Sequence, residues 1–197
     1  MIKTQMKQII SILLVLFFIF KQAKGQENYL PKTKLTLSYF GETITHYGLN
    51  MGFEYYPFQS KKYQMILATN MGAYVHVRNN TSLFIREQWG QRVSFNSGVF
   101  IDEFIGLGYL HHFTHGGEIY EVLPNGAVVE TPNNGSPMIM PSVGLGTGYD
   151  FSKKTKRNII FFLRPELFWK APFNGYYLTH FAVNTGIIFK IKNTNEK

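Results

Sequence analysis

The sequence predicts an all-β chain that closes into an antiparallel, up-and-down transmembrane β-barrel of about eight strands. Composition points this way, because aromatic residues make up 16% of the 197 residues and charged residues only 16%, against roughly 25% charged in soluble domains. Segment after segment alternates apolar residues with polar or small ones, which is the pattern of a strand with two different faces. The length suits one domain with a sizeable core, so we expect a single barrel.

The amino terminus, residues 1–25, is predicted to be a cleaved signal peptide. Lys3 and Lys7 precede an apolar run from Ile9 to Phe20, and Ala23-Lys24-Gly25 supplies small residues for signal peptidase. The run is about a dozen residues long, whereas a membrane-spanning helix needs roughly 20. We therefore expect the leader to be removed rather than to act as an anchor.

The net charge does not indicate nucleic-acid binding once the leader is set aside. The leader holds four of the 20 basic residues and no acidic residue, so the mature chain, residues 26–197, has 16 basic against 12 acidic residues. The remaining basic residues lie mostly in short turns, with no basic helix that could enter a groove. The sequence has no cysteine, which excludes disulfides, thiolate metal sites and cysteine nucleophiles. No cofactor is predicted.

The alternation keeps the same sense along the chain, with odd positions facing outward and even positions inward. In the last segment, odd positions such as Phe181 and Ile187 are apolar, whereas His180, Asn184 and Lys190 occupy even positions. One face is therefore apolar along its whole length. The predicted strands cover residues 34–42, 45–57, 63–78, 82–94, 98–113, 138–151, 159–169 and 177–191.

The connections differ between the two ends of the predicted barrel. Residues 58–62, 95–97 and 152–158 form short turns at one rim, whereas residues 114–137 at the other rim are long and rich in Gly, Pro and Asn. Outer-membrane barrels place short turns in the periplasm and long loops outside, so this loop is predicted to be extracellular. Weak alternation from Glu118 to Glu130 leaves open a hairpin beyond the membrane, and hence ten strands rather than eight.

Aromatic residues near the strand ends are typical of interfacial girdles, and the last strand ends in Phe189-Lys190-Ile191. In these features the chain resembles the small eight-stranded outer-membrane proteins of the OmpA and OmpX kind. The resemblance implies outer-membrane lipid and the barrel-assembly machinery as partners, in a Gram-negative cell. One departure is that Lys192–Lys197 follow the final strand, whereas this family ends on the aromatic. The predicted girdle residues are Tyr55, Tyr56, Phe95, Tyr109, Phe113, Tyr149, Phe151, Trp169 and Tyr177.

A soluble secreted barrel of the lipocalin type also has eight alternating strands. Its outward face should be polar, yet here the uniformly apolar face lies opposite the face that carries the charges. An interior with so many charges cannot be a dry apolar core. The membrane barrel is therefore the favoured interpretation.

The charges on the inward face form the first candidate site. Inside a narrow barrel they must pair, since each unpaired buried charge costs several kcal/mol. One interpretation is a structural salt-bridge network that fills the lumen, and the other is a gated pore for small solutes. The candidate residues are Glu54, Arg78, Arg86, Arg92, Asp102, Asp150, Arg164 and Glu166.

Histidines form the second candidate site. His46, His76, His112 and His180 are predicted to point inward at the extracellular mouth, close to Glu42. Imidazoles gathered at one mouth suit a divalent metal or a change of charge with pH. Simple polar lining is the other interpretation, since no two have a helix-type ligand spacing. His111 and His115 lie in or beside the long loop.

Three polar residues break the pattern on the lipid-facing side: Glu87, Gln91 and Glu103. Polar groups in lipid are costly unless they have a partner. A register change or bulge, a homo-oligomer contact and a lateral enzyme site acting on lipid A are the three interpretations. No serine and histidine lie beside the acids as such an enzyme would require, so we do not expect an enzyme.

The function predicted from the sequence is structural or binding, for an outer-membrane barrel that presents extracellular loops. A narrow channel or transport element for small solutes is the alternative, and a lipid-modifying enzyme is the third.

Overall fold

The structure, a computed structural model, describes residues 33–116, 119–155, 157–173 and 175–190. The predicted signal peptide and Ile191–Lys197 lie outside these ranges. Within them, no helix is long and apolar enough to cross a membrane. The strands are β1 (Thr33–Glu42), β2 (His46–Gln59), β3 (Tyr63–His76), β4 (Asn80–Ser94), β5 (Val99–Thr114), β6 (Ile119–Val122), β7 (Val128–Thr131), β8 (Ser136–Ile139), β9 (Ser142–Asp150), β10 (Ile159–Phe173) and β11 (Tyr176–Lys190).

The sheet closes on itself, because the last strand pairs with the first. Antiparallel pairing runs from β1 to β5, continues through β8 and β9 to β10 and β11, and returns from β11 to β1. The closing register matches Lys34 with Lys190 at one end and Glu42 with Ala182 at the other. The predicted fold class, a closed antiparallel barrel of eight strands, is confirmed.

One ring position is shared by two strands, β8 and β9, where the sequence predicts a single strand over residues 138–151. The break falls at Pro141, which has no backbone N–H to donate to a neighbour. On its amino-terminal side the ladder is intact, because Gly108 and Met140 exchange backbone hydrogen bonds of 3.0 and 2.7 Å. The two strands therefore act as one wall between β5 and β10.

The long connection contains a hairpin of its own. Strands β6 and β7 pair from Ile119 opposite Thr131 to Val122 opposite Val128, as a separate two-stranded sheet. The weak alternation in this region therefore does form a hairpin. It stays outside the ring, which keeps eight strand positions.

Outward residues are apolar around the whole ring. In β1, exposed and buried residues alternate strictly over its first eight positions. Along the middle of the other ring strands the exposed residues are likewise at odd positions, with exceptions near the strand ends. This exterior is the opposite of what the soluble-barrel alternative requires. Exposed apolar side chains include Leu37, Met51, Leu67, Ile85, Leu107, Leu145, Leu163 and Ile187.

The two rims differ less than predicted. The rim formed by residues 60–62, 95–98 and 151–158 is here called the short-turn rim. At the opposite rim, residues 43–45, 77–79 and 174–175 also make short connections, and only residues 115–135 are long. We call this second end the long-loop rim. The predicted difference in connection length between the two rims comes from one connection.

Two residue assignments are wrong. Arg78 is predicted in the lumen, but β3 ends at His76, and a tight turn in which the Asn79 N–H donates to the His76 carbonyl at 2.8 Å leaves Arg78 exposed. Tyr56 is predicted in the girdle, yet its even position in β2 points it into the barrel, where it is 1% exposed.

Candidate functional site

Four of the predicted lumen charges meet in one network near the short-turn rim. They come from four strands: Glu54 from β2, Arg92 from β4, Asp102 from β5 and Arg164 from β10. Nη2 of Arg92 lies 2.8 Å from Oδ2 of Asp102, and Nη2 of Arg164 lies 2.7 Å from Oε1 of Glu54 and 3.0 Å from that same Asp102 oxygen. Two positive and two negative charges balance, so the network is neutral.

Aromatic rings cover the two arginines of this network. The guanidinium carbon of Arg92 lies 4.1 Å from the centre of the Phe100 ring, and that of Arg164 lies 4.3 and 4.4 Å from Phe162 and Phe104. Such cation–π contacts strengthen when water is excluded. The network is thus stabilised by rings as well as by carboxylates.

Tyr56 completes the network from inside the barrel. Its hydroxyl donates to Glu54 and accepts a hydrogen bond of 3.2 Å from Nη1 of Arg92. A buried tyrosine needs a partner for its hydroxyl. Its even position in the sequence was the signal that could have identified this role.

A second ion pair lies deeper in the barrel. Nη1 of Arg86 lies 2.5 Å from Oε1 of Glu166, and both side chains are buried. The Arg86 guanidinium carbon is 5.2 and 5.6 Å from the Phe84 and Phe40 ring centres. This pair joins β4 to β10 across the lumen.

Between the two ionic groups, polar side chains from six strands enclose very little space. The cavity they line measures about 10 Å³, room for about one water molecule. Towards the long-loop rim, a cluster of buried apolar residues fills the lumen: Phe40, Tyr74, Phe84, Leu110, Met138, Met140, Phe168 and Ala182. All eight are at even positions, which the alternation predicts to face inward.

Glycines on the inward face make this packing possible. A methyl group at Gly146 would lie 2.0 Å from Oδ1 of Asp102, and one at Gly148 would lie 2.4 Å from the Phe100 ring. Both distances are shorter than any real contact. The small residues of β9 therefore leave room for the network and its rings.

Asp150, also predicted in the lumen network, lies at the short-turn rim and pairs with a lysine instead. Nζ of Lys190 is 2.7 Å from Oδ2 of Asp150 and also donates to Ser152 Oγ. Lys190 is at an even position of β11, so the alternation could have identified it as inward.

At the long-loop rim, Glu42 gathers two of the predicted histidines. Nδ1 of His46 lies 2.6 Å from one Glu42 oxygen, and Nδ1 of His180 lies 2.5 Å from the other. The His76 ring stacks on His46 with ring centres 3.7 Å apart. The carboxylate thus holds both imidazoles through the nitrogen that faces it.

His112 stands apart from this group, with Nδ1 3.2 Å from the Ser82 hydroxyl. Near the end of β5, His111 Nε2 lies 2.9 Å from the carbonyl of Asn134, and just beyond that strand His115 Nε2 lies 2.8 Å from the Thr81 hydroxyl. Over the described parts of the chain, no group of three or more His, Cys, Asp or Glu side chains is placed to hold a metal ion.

Two of the three polar residues predicted to face lipid have hydrogen-bond partners on β3. The Thr69 hydroxyl donates to Oε2 of Glu87 at 3.0 Å, and the Tyr63 hydroxyl donates to Oε1 of Gln91 at 2.6 Å. Across β4 and β5, Gln91 stands directly opposite Glu103. The predicted patch therefore lies on β3, β4 and β5 as two neighbouring polar groups.

A bulge does not explain this patch. The pairing of β4 with β5 runs without a shift from Asn80 opposite Thr114 to Ser94 opposite Phe100. The outward placement of the polar side chains follows directly from regular alternation. The register-change interpretation is wrong.

Comparison with known proteins gives no matching family model and no matching curated protein. Several solved structures are similar. Neisserial surface protein A has a TM-score of 0.48 and 10% identity, over 81% of this chain and 94% of that chain. The outer membrane enzyme PagL has a TM-score of 0.49 and 9% identity, over 80% and 99%. The Yersinia pestis outer membrane protein Ail has a TM-score of 0.42 and 9% identity, over 81% and 99%. The chain is similar to these proteins in fold alone.

Proposed function

We propose that the protein is an outer-membrane barrel with a structural or binding role, closed along its axis, that presents residues 115–135 to the outside. The observation that carries the proposal is the filled lumen, whose central cavity measures about 10 Å³. Two ionic groups and a mainly aromatic cluster occupy the lumen on either side of it. An eight-stranded barrel is just narrow enough to be filled in this way.

The apolar exterior supports a membrane location. Heat-modifiability tests it: the protein is folded in detergent and its gel mobility is compared with and without boiling. A membrane barrel is expected to run at a different position after boiling and to precipitate when detergent is removed. A monomer that stays soluble in water would contradict the proposal.

The hairpin of β6 and β7 supports binding over a purely structural role. Tyr120, Val122 and Val128 are all more than half exposed, at 57, 68 and 62%. Exposed apolar side chains on a free two-stranded sheet favour contact with another molecule.

Planar-bilayer recording separates a closed barrel from the narrow-channel alternative. The closed barrel is expected to give no steady single-channel current. The Arg164→Ala variant removes one of the side chains that fill the lumen, and the Arg78→Ala variant is its control because Arg78 is exposed in a turn. A steady current from the unmodified protein, with ion selectivity that changes in Arg164→Ala only, would establish a pore instead.

The lipid-facing patch supports two further roles, a contact between copies of the chain and action on lipid A. Native mass spectrometry in detergent tests the first, since a dimer that is lost in the Glu103→Leu variant is expected for a contact. Lipid A hydrolysis or acyl transfer that disappears in Glu103→Gln would support an enzyme and contradict the structural role.

A further inference from the structure

The barrel interior opens into a cavity at the short-turn rim, here called the rim vestibule. It measures about 400 Å³, and its wall includes Lys34, Lys61, Lys153, Lys190 and Asp150. The neutral ionic network closes its inner end, and Arg92 of that network is part of its lining. The vestibule is large enough for a small solute, whereas the centre of the lumen is not.

The vestibule carries an excess of positive charge. Arg92 is already balanced within its own network by Glu54 and Asp102. Of the remaining wall residues, four are lysines and one, Asp150, is acidic. Four positive charges against one negative charge leave an excess of three.

Among the residues of this wall, Lys34 gives the strongest indication of a bound anion. It is 3% exposed, and its ammonium group lies 3.6 Å from the centre of the Tyr56 ring. Among the described residues no hydrogen bond or ion pair reaches this ammonium. Buried lysines are rare unless they are paired, so its charge calls for an anion.

The register of the barrel places a second lysine beside Lys34. In the pairing of β1 with β11, Lys34 stands directly opposite Lys190, and both are at inward positions. Like charges directly opposite each other destabilise a sheet. Asp150 pairs directly with Lys190. On the other side of β1, Lys34 stands opposite Glu54, whose carboxylate is already bonded by Arg164 and Tyr56. A bound anion would offset the remaining repulsion.

Neutral donors stand on the same wall. The Ser94 hydroxyl and the Asn96 amide line the vestibule, and neither makes a hydrogen bond within the described part of the chain. We propose that the rim vestibule binds an oxyanion, a phosphate group held by Lys34 with help from Lys61, Ser94 and Asn96. Ammonium groups and neutral donors are the groups that bind phosphate in proteins.

Titration calorimetry with inorganic phosphate tests this proposal, on the protein in zwitterionic detergent at low salt. One saturable site is expected, weakened by added salt because the Debye length falls to about 10 Å at 0.1 M. The Lys34→Met variant keeps most of the side-chain volume and should weaken binding at least about tenfold. Its heat-modifiable gel mobility shows whether the barrel has formed.

Two neighbouring lysines provide a matched pair that does not involve a buried residue. Lys61 lines the vestibule, whereas Lys62 in the same turn does not. Lys61→Met is expected to weaken phosphate binding and Lys62→Met to leave it unchanged. No saturable binding, or an equal loss in both variants, would overturn the proposal.

The source of the phosphate group is distinguished in nanodiscs. Phosphate binding in discs of phosphatidylcholine and equally in discs containing phosphatidylglycerol assigns the site to a soluble phosphate compound. Binding that is lost only when the anionic lipid is present assigns the same site to a lipid headgroup.

Discussion

At the scale of single residues, the lumen shows how burial makes each charge depend on its partners. Arg164 donates hydrogen bonds to both carboxylates of the network, and Arg92 donates to Asp102 and Tyr56. Removing one member leaves the opposite charges buried without compensation, which costs more than the pair itself contributes. Substitutions in the network should therefore have large effects.

Arg92→Gln is expected to lower the free energy of unfolding by about 3–5 kcal/mol, because Asp102 and Glu54 then share a single guanidinium. Urea unfolding in lipid bilayers, followed by tryptophan fluorescence, measures this. Arg78→Gln is the control: it makes the same chemical change in an exposed turn and should stay within about 0.5 kcal/mol. Equal effects would contradict the network.

Gly146→Ala is expected to destabilise the barrel by about 1–3 kcal/mol, because its methyl group would overlap the Asp102 carboxylate. Gly144 offers a control on the same strand and the same face, since a methyl there would lie 3.2 Å from the nearest atom. Gly144→Ala should cost less than about 1 kcal/mol. The same unfolding assay compares the two, and a larger loss at Gly144 would refute this steric account.

At the scale of elements, the sequence was enough to predict the ring strands and their two faces. Alternation is a local property of the sequence, so it can be recognised without knowing which strands pair. The ends were harder: residue 78 continues the alternation of β3, yet the chain already turns at 77–79. Tyr56 has the residue type of an interfacial girdle, but its even position in β2 decides its direction. The pairing of each acid with an arginine depends on the register between strands that are far apart in the sequence. Alternation does not specify that register.

Replacing residues 119–131 with a short Gly-Ser turn is expected to leave the barrel intact, because β6 and β7 pair only with each other. The urea midpoint and the heat-modifiable gel shift should both match the parent protein. Deleting residues 136–139 is the contrasting change, since β8 pairs with β5 and β10, and it should abolish the shift. A lost shift on removing the hairpin would mean that it supports the ring.

At the scale of the whole molecule, the arrangement of polarity is inverted relative to a water-soluble barrel. The exterior carries the aliphatic side chains, whereas the interior carries the ion pairs. Lipid is therefore the solvent of the outer surface of the barrel. The free-energy cost of a charged side chain on that surface depends on its depth in the bilayer. This expectation separates a membrane barrel from any soluble one.

Leu107→Arg is expected to cost about 2–4 kcal/mol in bilayers, since Leu107 is 60% exposed near the middle of β5. Val77→Arg, at an exposed turn of the long-loop rim, should cost about 0–1 kcal/mol. Unfolding in bilayers measures both. Equal and negligible costs would show that Leu107 does not face lipid.

The ion pairs of the lumen also bear on the order in which the barrel assembles. Glu54 bonds a partner 110 residues further along, and Glu42 bonds one 138 residues away. The entropy of closing such long loops is lost before these contacts form. Until the last two strands arrive, Glu54 and Asp102 share Arg92 alone, and Arg86 has no Glu166 to pair with. Half-inserted intermediates are therefore disfavoured, and completion of the ring is the step that makes the interior compatible with a bilayer.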